Sequence, residues 1–273
     1  MLDRVLPRRV FKLKRSALKF NTSCCRYLDR FKSGTGKYYG YKPKGNGIMK
    51  LQEVKLINYS KTEDTVNAIT HLAGFPLGIV ALILCLHRSI TSGSKTGIIA
   101  SVIYGISIMI LYAGSAMYHG AKPGRLKKIL RVIDHCNVFL LIAGSMTPYS
   151  LVAFRPDHPV LCWVTFSFAW GSALFGIIMT SINQEKFKTV QMILYIAIGW
   201  VLIFAIKPMI SIFSGIFKPG LILLFVGGGL YTIGAIFCGI GKKLPYFHAI
   251  FHGFVLAGSI VQFVSVYNYV LVM

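Results

Sequence analysis

The stretch RVIDHCNVFLLIAGSMTPYSLVA, Arg131 to Ala153, decides the fold. From Cys136 onward it carries no Asp, Glu, Lys or Arg. It is long enough to cross a bilayer as a helix, which takes about 20 mostly apolar residues. Polar and apolar residues do not alternate along it, so it is not a strand of a membrane barrel. Working outward, Ala68–Leu86, Gly97–Tyr118, Ile133–Phe154, Val160–Ser181, Val190–Ile206, Gly220–Ile240 and Phe247–Met273 qualify or nearly qualify as spans. Hydrophobic residues make up 55% of the 273, too many for a soluble domain of this size. The sequence therefore predicts an all-α integral membrane protein, a bundle of seven transmembrane helices. Short connections leave no room for a second domain beyond Met49.

Lysine and arginine orient the bundle. All 30 can be placed outside the predicted spans. Sixteen precede the first span, five lie in the second connection (Lys122, Arg125, Lys127, Lys128, Arg131), and Lys186, Lys188, Lys242 and Lys243 lie in the fourth and sixth. The odd connections hold only Arg88, Lys95, Arg155, Lys207 and Lys218. Cytoplasmic loops are the ones enriched in these residues. The expectation is N-in, C-out, with 25 cations inside and 5 outside, in a multi-pass protein of the plasma (inner) membrane. The net charge of +22 then follows from topology. Spread over loops without a recognition motif, it argues against nucleic acid as a partner and for membrane lipids.

Residues 1–48 hold 13 of the cations, only Asp3 and Asp29, and the run SGTGKYYGYKPKGNG. They are expected to be a basic, disordered N-terminal extension ahead of a membrane domain at 49–273. An arm held on anionic headgroups, a transit-like presequence, and an upstream start with Met49 as initiator all fit. No apolar segment follows at signal-peptide spacing. The cysteines, Cys24, Cys25, Cys85, Cys136, Cys162 and Cys238, form no CxxC pair. They read as small apolar fillers or reduced thiols.

Orientation gives each polar residue a depth. His71 in the first span, His119 ending the second, Asp134 opening the third, and His248 and His252 opening the seventh all fall at the cytoplasmic end. His248 and His252 are i and i+4, on one helix face, with apolar Ala249, Ile250 and Phe251 between them. Ser115 and His119 share a face in the same way. A third imidazole, from His119, completes a three-histidine set. Three protein ligands plus water is the pattern of catalytic zinc, and zinc is the commonest fit to such a set. Each residue also has a plainer reading: an interfacial histidine, a packing hydroxyl at Ser115, and for Asp134 an acid at a helix start. Convergence at one depth favours the site. His135 points about 100° from Asp134 and is expected at the interface, while His87 and His158 read as outer-loop residues.

EDTVNAITHLAG (63–74), SAMYH (115–119), the Asp134–His135 pair and FHAIFHGFVLAGS (247–259) resemble the hemolysin III branch of the progestin and adiponectin receptor (PAQR) family. GWVLIFAIKP (199–208) and GGGLYTIGAIF (227–237) match in type and order. The resemblance runs from about Lys61 to the C-terminus. It implies seven helices, an inside N-terminus and a zinc ion near the cytoplasmic side held by His119, His248 and His252. It also implies that Asp134 and Ser115 stand near the water the zinc activates. Glu63 and Asp64 are a mild variant of the family's two acids before the asparagine. The wider superfamily includes alkaline ceramidases, which hydrolyse lipid amides. The expected function is a zinc-dependent hydrolase of lipid amides or esters acting on an acyl-lipid substrate. A receptor-like or lipid-homeostasis protein with structural zinc, and the cytolysin of the family's name, are the alternatives.

Overall fold

A computed structural model of the chain describes residues 54–240 and 244–273. The predicted basic extension, residues 1–48, lies outside them. Six helices among the described residues are long and apolar enough to cross a bilayer, and no strand occurs there. Lys61–Leu72 (α1) and Phe75–Thr91 (α2) form the first of them, Lys95–Gly120 (α3) the second, and Arg125–Pro148 (α4) the third. Pro159–Gly199 (α5) continues through a 3₁₀ segment into Ile206–Ile212 (α6). Lys218–Ile240 (α7) and Phe247–Ser265 (α8) complete the set.

Local sequence sets the ends. Ser60 caps α1 by accepting the Glu63 N–H at 3.1 Å, and Ser94 caps α3 by accepting the Gly97 N–H at 3.0 Å. Such caps satisfy donors that a helix start leaves orphaned. Pro148 removes a backbone donor where α4 widens into a π-helical turn over Tyr149–Phe154.

Packing uses small residues, because lipid supplies no hydrophobic drive between helices. α3 buries Gly97, Ala100, Ser101, Gly105, Ser107, Gly114 and Ser115 against its neighbours. At Gly105 a Cβ would stand 2.7 Å from the Leu82 Cα, so only glycine allows α2 this close.

α5 is bent back on itself at Asn183, whose φ is −161° and ψ 90°. The run Pro159–Ile212, if straight, would reach about 80 Å, far beyond a hydrocarbon core of about 30 Å. The Gln191 amide donates to Thr180 Oγ1 across the bend; in a straight helix those residues would stand roughly 16 Å apart. Both arms meet α4 at Phe139, which lies against Gly176 and has its ring 4.4 Å from that of Tyr195. The two predicted spans Val160–Ser181 and Val190–Ile206 are these arms.

The first and last helices run parallel. Tyr246 N–H donates to Glu63 at 3.0 Å, His252 stands beside Asn67, and the Arg88 guanidinium donates to the Tyr267 carbonyl at 2.6 Å. One expectation needs correction. α4 begins at Arg125, so Asp134 is not at a helix start but well inside the helix. α1, too, begins ahead of its apolar span, at Lys61. Apolar character marks the bilayer boundary, and both helices extend past it on polar turns.

Candidate metal centre

His119 ends α3, and His248 and His252 occupy the first turns of α8. The bundle brings them together: one ring nitrogen from each lies within 4.8 Å of the others. Ring centroids are 4.4 Å apart for His248 and His252, and 5.1 and 5.2 Å from His119 to each. Two nitrogens on one zinc ion stand at most about 4.2 Å apart. The three imidazoles are therefore close enough to share one metal ion after small side-chain rotations.

The free nitrogens follow from the partners of the others. His119 Nδ1 lies 3.1 Å from Asp64 Oδ1, and a carboxylate only accepts, so Nδ1–H donates. In the neutral ring His119 Nε2 then keeps its lone pair, and that atom is buried with no hydrogen-bond partner. His252 Nδ1 lies 3.2 Å from the Asn67 carbonyl, which also only accepts. Its Nε2 is thereby released as well. Buried polar atoms rarely go unpartnered, and a metal ion is what a lone pair released in this way suits.

Ser115 is one turn before His119, with its Oγ buried and unpartnered. Asp134 is 9% exposed, its Oδ2 4.0 Å from His135 Nδ1. Both line a cavity of about 450 Å³ together with His71, His248 and His252. Its walls are mostly apolar and reach to Trp200, Leu224 and Gln262. His135 also lines it, but its Nδ1–H donates to the Arg131 carbonyl within α4, at 2.9 Å. His87 and His158 lie near the ends of α2 and α5 remote from the triad.

The sequence places His71 at this depth and marks Asp64 as an acid of a motif, but the contacts of these residues, and of Asn67 and Tyr59, escape sequence reading. Asp64 and Asn67 hold the ring nitrogens of two histidines. His71 stacks on His252 with centroids 3.4 Å apart, and neither of its buried nitrogens has a partner. Tyr59, in the segment leading into α1, places its ring 5.5 Å from His248 and 5.7 Å from His119. Burial, aided by the nearby Tyr118, pushes its phenol well above the usual range, so it stays protonated. The segment is fastened by Arg131, which donates to the Lys55 carbonyl and pairs with Glu185 at 2.9 Å. A signal for α1 was present: Glu63, Asn67 and His71 stand at i, i+4 and i+8, all buried. A polar stripe on a membrane helix faces protein rather than lipid.

Comparison with known proteins agrees in extent with this architecture. A family model described as Haemolysin-III related matches residues 59–263. Hemolysin-3 of Bacillus cereus is 38% identical over 209 residues, covering 77% of this chain and 92% of that protein. The Hemolysin-3 homolog of Bacillus subtilis (strain 168) is 38% identical over 207 residues, covering 76% and 94%. Monocyte to macrophage differentiation factor of Homo sapiens is 27% identical over 250 residues, covering 88% and 94%. The matched region opens at Tyr59 and extends past His252, so the imidazole triad and the residues that hold it fall inside. With three quarters of its length matched at this identity, the chain belongs to the Haemolysin-III related family, the hemolysin III branch of the PAQR proteins.

Proposed function

We propose that this protein is a zinc-dependent membrane hydrolase of lipid amides or esters, with His119, His248 and His252 as the metal ligands. The observation that carries it is the largely apolar cavity of about 450 Å³ whose lining includes His248 and His252 together with Ser115 and Asp134. Zinc, when bound, supplies a Lewis acid that polarises a carbonyl and makes water more acidic. Asp134 accepts a proton from the attacking water. The Ser115 hydroxyl donates a hydrogen bond to the reacting oxygen. As the C–N or C–O bond breaks, the proton passes from Asp134 to the leaving group, giving a carboxylic acid and an amine or alcohol. The apolar walls hold the acyl chain. A purely structural ion would leave Ser115 Oγ, buried without a partner at a cost of about 1–3 kcal/mol, unexplained.

The topology that accompanies this reading is seven spans, N-in and C-out, in the plasma membrane. Supporting it, parallel first and last helices need an odd number of crossings, and the bend at Asn183 turns one long helix into two. The triad end also carries Lys122, Lys127, Arg131 and Lys186, in keeping with a cytoplasmic face. A reporter fused to the C-terminus should report the outer compartment, and a cytoplasmic signal would reverse the assignment.

The test of activity is direct. The protein, reconstituted in lipid nanodiscs, should carry about one zinc per chain by mass spectrometry. Incubated with membrane lipid extract, it should deplete an amide- or ester-linked lipid and release fatty acid. Zinc-free protein, or identical lipid profiles with wild type and Asp134→Asn, would overturn the proposal.

A further inference from the structure

Asp64 holds His119 in a way that no partner of His252 matches. Its two oxygens are divided: Oδ1 receives the His119 Nδ1–H at 3.1 Å, and Oδ2 receives Lys127 Nζ at 2.5 Å. Lys127 is 3% exposed, rare for a lysine in a membrane bundle, and its ammonium lies 5.6 Å from the Tyr118 ring centroid. A buried ammonium is costly unless paired. Lys127 Nζ also donates to the His119 carbonyl at 3.4 Å. The Asp64–Lys127 pair thus grips both the ring and the backbone of one residue, from two different helices, α1 and α4. His252 instead leans on the neutral Asn67 carbonyl and Thr70 Oγ1, at 3.2 and 3.1 Å.

From this asymmetry we infer that Asp64, neutralised on its far side by Lys127, is the positioning residue that orients and polarises His119 and sets the metal affinity of the centre. The inference rests on the three-histidine metal reading above. A carboxylate on the rear nitrogen of a ligating imidazole fixes its tautomer, locks the ring and raises the donor strength of the front nitrogen. Lys127 keeps that carboxylate from becoming an uncompensated charge without competing for the same oxygen. The bond also ties α1 to α3 and α4, so losing it loosens a ligand that the fold otherwise reaches only through a helix end.

The experiment is a zinc competition titration of the full chain in detergent against a chromophoric chelator. Asp64→Asn should bind zinc about 10–100-fold more weakly than wild type. Asp64→Glu, which keeps the charge and the acceptor and has room because Asp64 is partly exposed, should recover most of the loss. Glu63→Gln, on the same helix but bonded to the Tyr246 N–H rather than to an imidazole, should bind as wild type does. Equal affinity in Asp64→Asn and wild type overturns this inference and leaves the metal site intact. A wild type that binds no zinc overturns the metal reading, and this inference with it. Should Asp64→Asn not fold, magnetic resonance of cadmium-loaded wild type with labelled histidine decides. His119 coupled to the metal through Nε2, with its proton on Nδ1, supports the role; coupling through Nδ1 overturns it.

Discussion

Two buried polar clusters lie along α8, and they differ in what they leave unsatisfied. Toward its C-terminal end, the Tyr149 hydroxyl lies 3.0 Å from Gln262 Oε1 and 2.8 Å from Ser265 Oγ. Gln262 donates to the Leu224 carbonyl and Ser265 to the Gly220 carbonyl, so this network closes on itself. At the other end, His119 Nε2, Ser115 Oγ and both nitrogens of His71 are buried without a partner. Polar residues in membrane bundles serve as glue when satisfied and mark functional sites when they are not. One helix thus carries a closed seam at one end and the unpartnered polar atoms of the candidate metal centre at the other.

The strongest way to break this contrast is to remove a ligand. His252→Ala should abolish stoichiometric zinc, measured by mass spectrometry, because two imidazoles on different helices hold the ion poorly. Zinc at wild-type level in that variant would discard the triad. Next in size is Asp134→Asn. The amide keeps the shape but cannot take a proton, and a general base contributes typically 10²–10⁴-fold, roughly 3–5 kcal/mol of barrier. Zinc content should persist while lipid turnover falls by about that factor. Helix capping cannot account for such a loss, since Asp134 lies inside α4; wild-type turnover would reject the base role.

Smaller effects belong to packing and to the closed seam. Gly105→Ala forces a Cβ to within 2.7 Å of the Leu82 Cα and should cost about 1–3 kcal/mol in thermal or denaturant unfolding, with zinc affinity unchanged. Tyr149→Phe removes the hydroxyl of the satisfied network, and hydrogen bonds of this kind average about 0.6 kcal/mol in membrane bundles. It should lower stability by about that much and leave the metal untouched. A loss of zinc in Tyr149→Phe would mean that the two clusters are one coupled system.

Much of the helical pattern is legible in the sequence. Hydropathy is a local property, so the apolar helices can be read residue by residue, and the HxxxH and SxxxH pairs follow from the helical period alone. Apolar patterning alone puts Asp134 at a helix start, because the charged stretch Arg125–Arg131 hides the true start of α4. The roles of Asp64, Asn67 and Tyr59 were not legible. Each acts on a histidine at least 55 residues away in the chain, and no local pattern encodes which partner a carboxylate or carbonyl will meet.

By itself the sequence determined that this chain is a helical membrane protein, where along the chain its cations cluster, and which histidines share a helix face. All of these depend on neighbours within a turn or on the solvent each side chain prefers. Only the tertiary structure decided that α5 turns back at Asn183, that α1 lies along α8, and that Asp64 and Asn67 select the free nitrogens of His119 and His252. Those outcomes depend on which helices pack together, and packing is a competition among whole surfaces that no single stretch of sequence contains.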